Sequence, residues 1–166
     1  MKKHNLFRGF TLIEMLVVIA IIAILTGVVL ASLSGAKSKS RDGKRISDVS
    51  QIQLALEQYF DRCQAYPSTL TTGTNCIASN GATVHLSDFI SAIPSQPTGG
   101  SVVQTTYGYY VSAVSDYVLV AFLENSSDVL KDSLTDTTKP SWMATGICKG
   151  TTKHSDGSYH YCIGPK

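Results

Sequence analysis

One carboxylate, Glu14, interrupts an otherwise uncharged apolar run over residues 10–33. A charge inside a bilayer helix costs about 2.5–3.5 kcal/mol even on lenient insertion scales. Such a residue is expected either to have a partner or to snorkel toward the helix end. A second candidate group is Cys148, His154, His160 and Cys162, spaced C-x5-H-x5-H-x-C. Two thiols and two imidazoles could hold zinc, but the spacing lacks a C-x2-C or C-x4-C knuckle. A Cys/His nucleophile is less favoured still, because no third residue is marked to orient the base. Asp128, Asp132 and Asp136 step by four without the alternating oxygens around a glycine that a calcium loop needs. Spaced acids on a solvated turn are the plainer reading. No catalytic set, cofactor or metal is therefore expected.

The four cysteines, Cys63, Cys76, Cys148 and Cys162, all follow the apolar run and form two locally close pairs. An even count at short spacing reads as disulfides in an oxidising compartment. Three pairings are formally open, and Cys63 with Cys76 plus Cys148 with Cys162 is favoured. The second bond would close a 13-residue loop, stabilising by about 3 kcal/mol in the chain-entropy picture.

These residues need elements to hold them. The run over residues 10–33 is long enough for a helix to cross a hydrocarbon core of roughly 30 Å. An ordinary signal peptide is the alternative, with Ser34-Gly35-Ala36 as its cleavage site, although the run is long for one. Beyond it, Ile46, Val49, Ile52, Leu56 and Tyr59 step by three or four and form one apolar stripe. No proline lies before Pro67, so a single helix over about residues 11–60 is expected, with Gly27 its weakest point. Residues 68–83 read as a Thr/Ser/Gly/Asn-rich loop and residues 86–93 as a short helix. Tyr107, Tyr109 and Val111, then residues 117–123, form a β-hairpin pattern. Residues 142–147 and 158–163 could be two short strands around the Asp156-Gly157 turn.

Charged residues make up only 16% of the 166-residue chain, and the shortage is concentrated in residues 15–31, which have none. Net charge is +2, which argues against a strongly polyanionic partner. Lys2, Lys3 and Arg8 account for much of it, since removing residues 1–9 leaves 11 basic against 12 acidic residues. Lys37, Lys39, Arg41, Lys44 and Arg45 then cluster just past the apolar run. DNA capture, anionic-lipid contact and a solvated helix face are its three readings. Nucleic acid is the less favoured partner, because few aromatics stand near these charges.

Arg8-Gly9-Phe10-Thr11-Leu12-Ile13-Glu14, after a basic leader and before an apolar helix, resembles the processing site of bacterial type IV prepilins and type II secretion pseudopilins. At motif level the resemblance covers roughly the first 33 residues. It implies cleavage after Gly9 by a prepilin peptidase on the cytoplasmic side, and N-methylation of Phe10. Glycine before the scissile bond leaves the backbone accessible, and cutting ahead of the apolar run keeps the anchor on the mature chain. The resemblance also gives Glu14 a partner, the new α-amino group of Phe10 in its own or a neighbouring subunit.

The expected layout is a leader (1–9), a transmembrane and assembly helix (10–33) and an exported head (34–166) that includes an amphipathic helix (35–60). The fold class is α+β, a long N-terminal helix packed on a small antiparallel sheet, pilin-like. The function implied is structural: a subunit that polymerises with itself into a type IV pilus, served by the peptidase and by assembly machinery in the inner membrane. A pseudopilin, or a minor tip pilin, is the alternative. From a different class comes a monomeric anchored or secreted binding domain. The head is expected outside the cytoplasm, first on an inner-membrane anchor and then in a pilus or pseudopilus. Absence of a helix-bending proline from residues 10–33 resembles a pseudopilin, while a stapled C-terminal loop resembles a pilin.

Overall fold

Helical geometry begins at Leu12 and continues to Cys63, a single 52-residue helix, α1. The computed structural model describes residues 10–112 and 115–165, apart from the side chains of Ala31 and Ser32. Gly27 does not interrupt the helix, and a Cβ placed there would meet nothing within 4 Å. The helix stops where Gln64 turns into the left-handed region at φ 55° and returns its N–H to the Phe60 carbonyl at 2.7 Å. That closure, with Pro67 soon after, is a common way to end a helix.

The chain divides into two compact units, the first ending at Lys37 and the second running Ser38–Lys166. In the first, every side chain from Phe10 to Leu30 is exposed. The helix is long and apolar enough to cross a membrane, and its most apolar window has no buried residue.

In the second unit, β3 (Gly108–Ser112), β4 (Asp116–Leu123) and β5 (Tyr159–Ile163) form an antiparallel sheet in the order β3-β4-β5. Strand β4 is central and covered on both faces, which is why its sequence is a nearly unbroken apolar run. One face, Tyr117, Leu119, Ala121 and Leu123, joins Val49, Ile52, Leu56 and Tyr59 of α1 in the main core. The other face, Val118 and Val120, packs with Met143, Cys148 and Cys162. Burying each such aliphatic side chain contributes about 1.5–3 kcal/mol.

Three expectations are corrected. Residues 68–83 are not all loop: β1 (Asn75–Ile77) and β2 (Thr83–His85) pair as a hairpin, turned through Gly81 at φ +80°. Residues 86–93 form only a 3-10 turn, Leu86–Asp88. Residues 142–147 form no strand. Their backbone is instead tied locally, Met143 N–H to the Pro140 carbonyl at 3.1 Å and Gly146 N–H to Asp136 Oδ2 at 2.8 Å.

Candidate functional site

Phe10, Leu12 and Ile13 are 76%, 83% and 69% exposed, the start of a contiguous apolar surface of the kind that marks an interaction site. At its head Glu14 is already hydrogen-bonded within the chain. Thr11 donates to Oε2 of Glu14 through its backbone N–H at 2.8 Å and its hydroxyl at 2.7 Å. Glu14 N–H in turn donates to Thr11 Oγ1 at 3.3 Å. This is the reciprocal Thr-x-x-Glu capping box of a helix start. The Thr11-x-x-Glu14 spacing is itself a signal for it in the sequence. Gly9 lies outside the described residues.

Past Ser38, α1 carries its acidic side chains toward the sheet. Tyr107 donates its hydroxyl to Asp48 Oδ2 at 2.7 Å. Tyr66 and Tyr117 donate to the two oxygens of Glu57, each at 3.0 Å. Burial, and then the neighbouring carboxylate, push the phenols of Tyr66, Tyr107 and Tyr117 far up, so they remain donors at any physiological pH.

The basic cluster divides in two. Lys37, Lys39 and Lys44 are exposed. Arg45 is fully buried, its Nη1 bonded to Asp42 Oδ1 and Glu124 Oε1, both at 2.8 Å, and its Nη2 to the Pro97 carbonyl at 2.7 Å. Arg41 takes Glu124 in a two-pronged pair, Nε to Oε1 and Nη2 to Oε2, both 2.6 Å. Asp42 completes the junction by accepting the backbone N–H groups of Glu124 and Asn125, each at 2.9 Å. The hydrogen bonds from Arg41 hold Glu124 below the usual carboxylate range against the opposing effect of burial. Gly100 makes this closeness possible, because a Cβ there would fall 1.8 Å from Glu124 Oε2.

Cys63 is bonded to Cys76 and Cys148 to Cys162, with Cα atoms 5.8 and 5.9 Å apart. His154 and His160 stack on one another between the last two cysteines. Among the described residues no three metal-ligating side chains converge. Asp128 pairs with Lys131 at 2.6 Å, whereas Asp136 accepts Gly146 N–H, so the three spaced acids do not form one site.

A long exposed helix start followed by an antiparallel sheet defines the α+β, pilin-like class. The prokaryotic N-terminal methylation motif matches residues 5–30. The type II secretion system core protein G of Escherichia coli K12 is 31% identical over 106 residues, 61% of this chain and 73% of that protein. The core protein G of Klebsiella pneumoniae is 32% identical over 97 residues, 55% of this chain and 69% of its own length. That of Pectobacterium carotovorum is 42% identical over 62 residues but is covered for only 40% of its length. No solved structure matches. The chain belongs to the type IV prepilin and type II secretion pseudopilin family, in which these relatives are core protein G.

Proposed function

We propose that the chain is a pseudopilin, a structural subunit that polymerises through its N-terminal helix as part of a type II secretion machine. The observation that carries this is the length of the match to the Escherichia coli protein: 106 residues reach well beyond the methylation motif into the head. For that reason the type IV pilus, expected first from the sequence, yields to the pseudopilin.

On this reading, residues 1–9 stay in the cytoplasm, a prepilin peptidase cuts after Gly9, and Phe10 is methylated. Residues 10–33 anchor the subunit in the inner membrane until assembly, and the head lies outside the cytoplasm. Glu14 meets the Phe10 ammonium of its own or a neighbouring subunit, rewarding addition in register. The intrachain bonds from Thr11 both fall on Oε2, so an ammonium would be met by Oε1. Deleting the chain should stop secretion of folded exoproteins, and shearing cells should release no micrometre-scale filament containing it. Sheared filaments with secretion intact would return the reading to a pilus.

A further inference from the structure

Two imidazoles lie face to face in the segment closed by the Cys148–Cys162 bond. The rings of His154 and His160 have centroids 3.4 Å apart and planes within 13° of parallel, and Phe122 of β4 meets His160 edge-on at 4.8 Å. His160 Nδ1 is 2.7 Å from the Ile147 carbonyl and its Nε2 is 3.4 Å from Asp156 Oδ2. The Ile147 carbonyl and the Asp156 carboxylate only accept, so each is placed to take an N–H from this ring whenever the facing nitrogen carries a proton. Asp156 is prepared to face it. Burial pushes this carboxyl up, yet the N–H and hydroxyl of Ser158, then His160, hold it down at about 2. Gln104 Nε2 donates to the same Oδ2 at 3.1 Å.

His154 has no such provision. Its backbone is tied, N–H to the Ser158 carbonyl at 2.9 Å and carbonyl to Gly157 N–H at 3.1 Å, but its Nε2 is buried with no partner. The charged groups that face it are His160, Lys149, Asp156 and Asp136.

We propose that the His154–His160 stack is an acid-operated release for the turn at residues 149–158. Once protonated, His160 has an acceptor for each N–H, Ile147 on one side and Asp156 on the other. A second proton, taken by His154, sets two imidazolium rings against each other with an N–H that lacks an acceptor, so the His154 ring leaves the stack and the turn opens. The sign agrees: burial first, then His160 and Lys149, pushes His154 below its ordinary 6.5 against the pull of Asp156 and Asp136. A group depressed in this way supports the closed turn at neutral pH and ceases to do so as pH falls through its folded value. The disulfide confines the opening to the residues between Cys148 and Cys162, so acid would reshape one patch of the head without unfolding it.

The test is nitrogen-15 NMR of the histidine rings in the full chain in detergent micelles, with amide exchange followed on the same sample. His154 should protonate below the ordinary imidazole value. Protection of His154 N–H and Gly157 N–H, taken relative to the intrinsic exchange rate at each pH, should fall by up to about tenfold per pH unit between the ordinary imidazole value and the folded value of His154, the slope of one linked proton. Cys162 N–H, bonded to Ser133 Oγ at 2.9 Å, should stay protected and shows that the head remains folded. His154→Gln should abolish this loss of protection, and His160→Gln should raise the pH at which His154 protonates. Titration of His154 at the ordinary value, or protection relative to the intrinsic rate that does not change across the range, overturns the proposal.

Discussion

Arg45 and Glu124 are 79 residues apart in sequence and bonded at 2.8 Å, with the arginine side chain wholly withdrawn from solvent. Removing one partner of a buried ion pair costs about 3–5 kcal/mol when the other is stranded; Glu124 keeps Arg41, so the lower end of that range applies. Arg45→Ala should therefore lower head stability by about that amount. Lys44→Ala, one residue away and exposed, should stay within about 0.5 kcal/mol. Denaturant melts of both variants decide this, and equal effects would mean that the network contributes little.

The same junction predicts a pH dependence. Arg41, then Arg45, lowers the Glu124 carboxyl against burial, so its stabilisation is present above the ordinary carboxylate range and is lost as pH falls through the folded value. The stability gap between wild type and Glu124→Gln should be full at neutral pH and close only as pH falls below the ordinary carboxylate range. A constant gap would assign the effect to packing.

For Glu14, the expected separation is between insertion and assembly. Glu14→Ala removes a carboxylate from the apolar segment and should insert at least as well as wild type, yet yield few multimers on crosslinking. Thr11→Val, which removes the hydroxyl of the capping box, should cost the helix start about 1 kcal/mol and leave multimers largely intact. Wild-type multimers from Glu14→Ala would dismiss the assembly role.

Processing has its own readout. N-terminal mass spectrometry should find a mature chain beginning at methylated Phe10. Gly9 replaced by a bulky residue should leave an uncut, membrane-held precursor. A mature chain starting near Lys37 would mean a conventional signal peptide and a released domain.

Replacing Cys148 and Cys162 together by serine should cost about 3 kcal/mol. The loss should concentrate in residues 149–158 and the β4–β5 edge, as read by proteolysis. Cleavage that begins instead at β3 would place the weak point elsewhere.

What the sequence disclosed tracks the range of each interaction. The stripe from Ile46 to Tyr59 repeats over several turns, so its period alone placed the buried face of α1. The apolar density of residues 117–123 likewise marked a covered strand. The β1–β2 hairpin escaped because strands of three residues are too short to show alternation, although Asn80-Gly81 was a turn signal. Arg41 and Arg45 read like Lys39 and Lys44, because the carboxylate that separates them, Glu124, is about 80 residues downstream. The Thr11–Glu14 bonds, in contrast, span three residues, and their spacing stands in the sequence.

Both covalent links are short-range, joining cysteines 13 and 14 residues apart, while the fastenings that span the head are ionic or hydrogen-bonded and reversible. A chain made from its N-terminus can thus oxidise Cys63 to Cys76 before β3, β4 and β5 exist, without waiting for a distant thiol. Cys148 and Cys162 emerge as a second, separate pair, so simple order of appearance disfavours the crossed isomers. Loop closure over 13 or 14 residues also costs less entropy than either crossed pairing would, so the short separations themselves favour these two bonds.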